Sequence, residues 1–225
     1  MLTLNRLRRL EAALRRRGHG STIEWSEIIQ PPIDGDAFAE QAVYVICNSG
    51  MRVTIAEPIY RRCMAALRAG EAVSGVFGHP GKVAAIEHVW QGREAIYLQY
   101  LQSEDPIAFL QTLPWIGPVV RYHLAKNLGV DVAKPDVHLE RLARRDRTTT
   151  AKLCRRLAHE TGYRVATVDS ILWRACADGL LNSRVYESHG WAAAISAEIT
   201  SEAWRPPTIE SPALSPDTHG DDPTA

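Results

Sequence analysis

The chain has 225 residues, of which 45% are hydrophobic and 23% are charged, and its formal net charge is zero. This composition is ordinary for a globular domain and excludes a collagen-like, a low-complexity or a largely disordered chain. No apolar run is long enough to cross a membrane, and the Arg-rich N-terminus lacks the apolar core of a signal peptide, so we expect a bacterial-type cytoplasmic protein.

Hydrophobic periodicity predicts helices along the chain and no persistent strand, so the expected fold class is all-α. The predicted helices are an amphipathic basic helix that ends at Gly18, followed by residues 36–48, 53–67, 82–90, 107–112, 118–128, 137–145, 150–160, 165–177 and 191–204. Residues 19–32 and 70–81 are predicted to be loops, because glycine and proline recur in them.

The charges are unevenly distributed along the sequence. Residues 121–164 hold eleven Lys or Arg against five Asp or Glu, whereas residues 205–225 hold one Arg against four acidic residues. The first segment predicts a basic patch, which is typical of a nucleic-acid-binding protein. The second, rich in Pro, Ser and Thr, predicts a disordered acidic tail after a single domain of residues 1–204.

The four cysteines are expected to be buried free thiols. They are Cys47, Cys63, Cys154 and Cys176. None belongs to a CxxC pair or has a histidine close by in sequence, so the spacing favours neither a zinc ribbon nor a disulfide framework.

Residues 113–118, with the sequence LPWIGP, predict a tight turn between two helices. Pro114 blocks continuation of the preceding helix, Gly117 permits a positive φ, and Pro118 suits the first position of the next helix. Backbone amides exposed at such a hairpin can bind an anion such as a phosphate.

An isolated carboxylate follows the hairpin, at Asp136 in the sequence KPDVHL. Pro135 favours an extended conformation at Lys134, and Asp136 is a favoured N-cap residue for the helix that follows. A carboxylate at a helix start remains ionised easily and suits an anion that must lie beside a developing cation.

The hairpin and the later aspartate together resemble the helix-hairpin-helix DNA glycosylase superfamily. The stretch DVHL at residues 136–139, followed by RRD at 144–146, resembles the DVHM and QRD segments of the 8-oxoguanine glycosylases. The resemblance covers about residues 35–180. It implies a two-lobed helical fold whose active site lies in the cleft between the lobes, and excision of a damaged or modified base with Asp136 as the catalytic residue.

The same resemblance implies that the protein binds DNA, expected to be double-stranded with a lesion, as a nucleoid-associated monomer. The implied DNA-binding residues are Leu113, Ile116, Gly117, Val119 and Arg121 at the hairpin, His138 beyond Asp136, and Met51 and Arg52. It implies no cofactor apart from a possible sodium or potassium ion at the hairpin, and the chain lacks the clustered cysteines of an iron-sulfur member.

Two residues depart from the family pattern. The third hairpin residue is usually glycine and here is Trp115. In members that also cut the DNA strand, the second residue after the last hairpin glycine is lysine, and here it is Val119, which cannot form a Schiff base. A monofunctional glycosylase is therefore expected.

Residues 48–52 are called the wedge loop below. The sequence VICNS at 45–49, with Arg52, resembles the FICSSNNN segment of the 8-oxoguanine glycosylases, which fills the gap left by an extruded base. Gly50 stands where the family has its wedge asparagine, so Met51 or Arg52 becomes the candidate wedge, and a plain interhelical turn is an equal alternative.

The base pocket is expected to contain Cys47, Asp169 and Trp173. Residues 168–173 resemble the AQAVLF segment of the same family, and by that match Asp169 would read the base edge while Trp173 stacks on it. A carboxylate accepts hydrogen bonds without donating them, so the expected substrate is an alkylated or oxidised purine that offers N–H donors, with a modified cytosine as the second candidate.

Two other functions remain open from the sequence. The chain could be a non-catalytic DNA-binding module that uses only the hairpin and the basic residues. It could also be a lyase that acts on abasic sites through Lys134 or Lys126.

Overall fold

A computed structural model describes residues 1–200, so the predicted acidic tail lies outside the described residues. Within residues 1–200 the fold is all-α, as predicted, with fourteen α-helices, a 3-10 turn at Val73–Gly75 and no strand beyond an isolated bridge between Leu181 and Ile195. None of these fourteen helices has the length and apolar character needed to cross a membrane.

In chain order the helices are α1 (Leu4–Arg16), α2 (Gly20–Ile28), α3 (Gly35–Asn48), α4 (Val53–Arg68), α5 (Pro80–Gln91), α6 (Arg93–Gln102), α7 (Pro106–Leu110), α8 (Val120–Asn127), α9 (Val137–Arg145), α10 (Thr150–Thr161), α11 (Val165–Ala177), α12 (Ser183–His189), α13 (Trp191–Ala194) and α14 (Ala197–Thr200).

The buried apolar side chains form two separate clusters. The middle cluster is built from α3 to α8, and α3 lies at its centre, in contact with α4, α5, α6 and α8. The terminal cluster combines α1 and α2 with α9 to α14, and α11 lies at its centre. Both central helices are apolar around most of their circumference, which is the pattern of a helix packed on several sides.

The chain passes between the clusters at residues 29–33 and at residues 129–135, and the two crossings touch. A Cβ on Gly129, which has a φ of 82°, would lie 2.9 Å from the Pro31 nitrogen, so only glycine allows this approach. The Arg164 guanidinium donates to the Gly129 carbonyl at 2.6 Å and to the Ile29 carbonyl at 3.3 Å. The two crossings are thereby fixed to each other and to the start of α11.

Several helix predictions are corrected. The bounds of α9 and α11 agree with the sequence expectation, but α2 lies in a predicted loop, and α6 and α12 were not predicted. Tertiary contacts stabilise α2: Ile23 is buried in the terminal cluster, and the Ser26 hydroxyl donates to the Thr167 hydroxyl at 3.0 Å. The four cysteines are free thiols, as expected, although Cys176 is only partly buried.

Candidate active site

Asp136 is the N-cap of α9, as the sequence predicts. Its Oδ1 accepts the His138 backbone N–H at 2.9 Å and the Leu139 backbone N–H at 3.1 Å. Within residues 1–200 the second carboxylate oxygen accepts no hydrogen bond, and the side chain is partly open to solvent. One oxygen therefore orients the group, while the other has no hydrogen-bond donor among the described residues.

A buried ion pair lies beneath this carboxylate and joins the two clusters. Lys126 on α8 donates to one oxygen of Asp169 on α11 and, at 3.2 Å, to the Ser170 hydroxyl. The other Asp169 oxygen accepts the Lys134 backbone N–H at 2.8 Å. Asp169 thus positions the segment that leads directly into Asp136.

This arrangement changes the interpretation of Asp169. Its side chain is 2% exposed and both oxygens are occupied by protein donors, so it presents no free acceptor to a base. Burial raises the pKa of Asp169, and the charge of Lys126 opposes that rise. The expectation that Asp169 reads a base edge, and the preference for purines derived from it, find no support in this geometry.

Two basic groups near Asp136 are shifted toward their neutral forms. Removal from water lowers the pKa of Lys134, and the negative charge of Asp136 offsets this only in part. Burial, together with the charges of Lys134 and Lys126, lowers the pKa of His123 to about 3. His123 is therefore a neutral imidazole at physiological pH.

The hairpin backbone differs from the expectation at two residues. Trp115 has a φ of 68°, in the left-handed region that favours glycine, whereas Gly117 lies outside that region. Among the described residues, the amides of Trp115, Gly117 and Val119 donate to no protein acceptor. Amides without a protein acceptor at a turn of this kind are the donors that a phosphate oxygen would use.

The hairpin side chains divide into buried and accessible ones. Leu113 and Ile116 are buried, so only their backbone groups can contact DNA, while Val119 is exposed. Arg121 stacks over the Tyr122 ring with 5.0 Å between the guanidinium carbon and the ring centroid. Its Nε is buried and has no partner in the described part of the chain. An unpaired buried donor of this kind is unusual and marks a place where an acceptor would be stabilised.

The hairpin carbonyls bear on the expected monovalent cation. The carbonyls of Leu113, Gly117 and Val119 each accept a backbone N–H of the following turn. Each carbonyl oxygen keeps one lone pair, so these oxygens are compatible with a weakly bound monovalent cation. No group of three or more His, Cys, Asp or Glu side chains within residues 1–200 is arranged to hold a metal ion.

A buried lysine, for which the sequence predicted no role, stabilises the wedge loop. Lys82 donates to the carbonyl of Cys47 at 3.0 Å and to the carbonyl of Ser49 at 2.6 Å. These carbonyls terminate α3 and would otherwise lack partners. Gly50 then turns the chain with a φ of 71°, and Arg52 is exposed. Met51 is partly buried, so Arg52 is the more accessible of the two wedge candidates.

The other predicted pocket residues are brought only partly together. Cys47 is buried, and its thiol lies close enough to Cys63 to interact with it. Trp173 is partly buried, with the Arg174 guanidinium 4.9 Å from its ring centroid. The charge of Arg174 acts on Tyr44, whose ring centroid lies 6.4 Å from that of His123. Trp173 and Arg174 thus form one contacting pair, and Tyr44 and His123 form a second pair.

These two pairs come from three helices, α3, α8 and α11. No motif in the sequence connects Tyr44 with His123, because their proximity depends on how α3 packs against α8. His138, in contrast, was singled out and directs its Nδ1 to the Ser183 hydroxyl at 2.9 Å, so only its other ring nitrogen remains for DNA.

No protein-family model, no curated protein and no solved structure matches the chain.

Proposed function

We propose that the protein is a monofunctional DNA glycosylase that hydrolyses the N-glycosidic bond of a damaged or modified nucleotide turned out of the helix. The observation that carries the proposal is the Asp136 carboxylate, with one oxygen fixed by two helix amides and the other unoccupied. As the base leaves, the sugar develops oxocarbenium character, which a fixed carboxylate stabilises without having to reorganise. Asp136 can also orient the attacking water.

The expected two-lobed architecture accords with the two hydrophobic clusters. Asp136 follows the second crossing between them, and the Lys126–Asp169 pair bridges α8 and α11 beneath it. A nucleotide extruded from DNA needs a recess of its own, and the junction of two lobes is a common place for one. We propose that two pairs of residues line this recess, Trp173 with Arg174 and Tyr44 with His123.

Two features would hold the DNA backbone. The free amides at the hairpin offer a phosphate three donors without a side chain. A surface pocket lined by Arg144, Arg145, Arg147 and Glu187 adds positive charge beyond α9. The wedge loop, fixed by Lys82, would then present Arg52 to the gap in the base stack.

The test is excision by the wild type and by Asp136→Asn on a panel of duplexes that each contain one modified base, scored as alkali-sensitive sites. We expect Asp136→Asn to lose at least about 100-fold in rate, the usual effect of removing one electrostatic group from a transition state. Its affinity for DNA should be equal to or above that of the wild type, since a negative charge is lost. Glu160→Gln, which removes one carboxylate charge from an exposed residue of the basic segment, is the control.

Excision by Asp136→Asn at near the wild-type rate would refute the catalytic assignment. A wild type that binds DNA but excises none of the bases would favour the non-catalytic binding module.

A second function, lyase action at abasic sites, is favoured by one observation. The amine of Lys134 is partly buried, makes no hydrogen bond within residues 1–200, and has a pKa lowered mainly by burial. A neutral amine can attack the C1′ aldehyde of an abasic sugar, releasing water and leaving an imine. Loss of a C2′ proton then expels the 3′ phosphate. Lys126 is a poorer candidate, because it is paired with Asp169.

Borohydride reduction would trap such an imine as a covalent adduct between protein and DNA. An adduct with the wild type that disappears in Lys134→Ala, but persists in Lys152→Ala, would establish the lyase. If the wild type gives no adduct, the protein is monofunctional, as the presence of valine rather than lysine at position 119 predicts.

A further inference from the structure

Trp115 has two properties that are seldom found together at a turn. Its φ of 68° places a bulky residue in the left-handed region, a conformation that is strained for any residue with a Cβ. Its side chain is nevertheless 42% exposed, so burial does not fully offset that strain. A strained residue with an accessible aromatic ring is grounds for seeking a ligand of that ring.

The ring is held in one orientation. It meets the His79 ring edge to face, with 4.9 Å between centroids and 77° between planes. It also lies on Gly81 at the start of α5, where a Cβ would approach the Trp115 ring to 2.8 Å. Phe77 extends the contact, because its ring centroid lies 6.3 Å from that of His79. Trp115 is therefore a fixed aromatic surface rather than a freely rotating side chain.

The neighbours of the ring indicate what it would contact. The free amides of Trp115, Gly117 and Val119 lie on the same turn, so a phosphate bound there would bring its nucleotide close to the indole. A nucleobase stacks well on an indole, and it can do so only when it is not stacked within a duplex.

We propose that Trp115 is a stacking site for an unpaired nucleobase, held next to the hairpin and separate from the recess at Asp136. The inference rests on the proposed function only in assuming that the hairpin binds DNA. It follows that the protein should bind DNA containing unpaired nucleotides more tightly than fully paired DNA, because only an unpaired base can reach the ring.

The experiment compares three fluorescein-labelled DNAs by anisotropy: a paired duplex, the same duplex with a run of unpaired thymines in one strand, and the thymine-containing single strand. The variant is Trp115→Asn, since asparagine tolerates a positive φ and removes the ring. We expect it to bind the two DNAs with unpaired bases roughly 5- to 100-fold more weakly, the range that base–aromatic stacking spans. Binding to paired duplex should change less than about twofold.

Two matched variants complete the design. Trp115→Phe keeps an aromatic ring and should restore most of the binding to unpaired DNA. Trp25→Asn removes a tryptophan of similar exposure, 46%, on the surface of α2, and should leave all three affinities unchanged. If Trp115→Asn weakens all three DNAs equally or none of them, or if Trp25→Asn has the same effect, the stacking site is refuted.

A measurement on the wild type covers the case in which Trp115→Asn fails to fold. 5-Iodouracil placed among the unpaired bases forms a covalent bond with an aromatic ring stacked on it when illuminated. An adduct mapped to Trp115 supports the site, and adducts found only on other residues overturn it.

The outcome is separable from that of the proposed function. If the protein excises a base and Trp115→Asn does not change DNA binding, only the stacking site is refuted. If DNA binding depends on Trp115 and no base is excised, only the proposed glycosylase activity is refuted.

Discussion

The ion pair between Lys126 and Asp169 can be tested by removing the lysine. The Lys126 side chain is 14% exposed and that of Asp169 is 2% exposed, so Lys126→Met would leave a buried carboxylate without its counterion. Breaking a buried pair in this way costs about 3–5 kcal/mol. A typical domain has a free energy of unfolding of about 5–15 kcal/mol, so Lys126→Met should unfold at a much lower urea concentration than the wild type.

The cost should depend on pH in a defined direction. Burial already raises the pKa of Asp169, and Lys126 is the main charge opposing that rise. Without Lys126 the folded-state pKa moves further above the value of about 3.9 expected in the unfolded chain. A raised carboxyl pKa destabilises the fold at high pH, and the penalty shrinks as pH falls toward about 4. The deficit of Lys126→Met relative to wild type should therefore be smaller at about pH 5 than at about pH 8.

Urea unfolding followed by circular dichroism, at both pH values, would measure these differences. The double variant Lys126→Met/Asp169→Asn keeps an acceptor for the Lys134 N–H and removes the charge, so it should recover most of the lost stability. Lys152→Met, at an exposed lysine of α10, controls for the loss of a surface charge. A deficit under about 1 kcal/mol in Lys126→Met, or a double variant no more stable than the single one, would refute the structural role of the pair.

Three further predictions concern neighbouring groups. The pKa of His123 is about 3 in the folded protein and ordinarily about 6.5. The free energy of unfolding should therefore fall by up to about 2 kcal/mol between pH 7.5 and pH 5. His123→Gln should remove this pH dependence, as measured by urea unfolding. Lys82→Met leaves two carbonyls under the wedge loop unpaired and should lower the melting temperature by several degrees, unlike Lys152→Met. Gly81→Ala, which usually stabilises a helix, should destabilise here because of the contact with Trp115, and stability should return in Gly81→Ala/Trp115→Gly.

Local sequence signals were sufficient where the structure depends on local chemistry. Asp136 caps α9 as predicted, because Pro135 sets an extended entry and the carboxylate satisfies amides only two and three residues away. The end of α11 is equally local, since Gly179, with a φ of 74°, follows the last helical residues. The hydrophobic periodicity predicted the all-α class correctly because it is also a local property of the sequence.

Sequence signals were insufficient where the deciding partner is distant in sequence. Asp169 was expected in a base pocket because its neighbours match a family segment, yet its environment is set by Lys126, 43 residues away, and by the Lys134 backbone. The helix α2 depends in the same way on Thr167 across the terminal cluster. Composition and spacing carry no signal for such pairs, because the packing of one helix on another brings them together.

Three energetically costly features lie in one segment, residues 115–136. Trp115 occupies a left-handed conformation, His123 is kept neutral, and Lys126 is desolvated to meet a buried acid. A hairpin built for stability alone would have glycine at 115 and well-packed apolar side chains at the ion pair, since such replacements are often neutral or stabilising. The same segment carries the free hairpin amides and ends at the open oxygen of Asp136. Local strain and buried charge that coincide with unoccupied donors and acceptors favour a site built for a ligand over a purely structural hairpin.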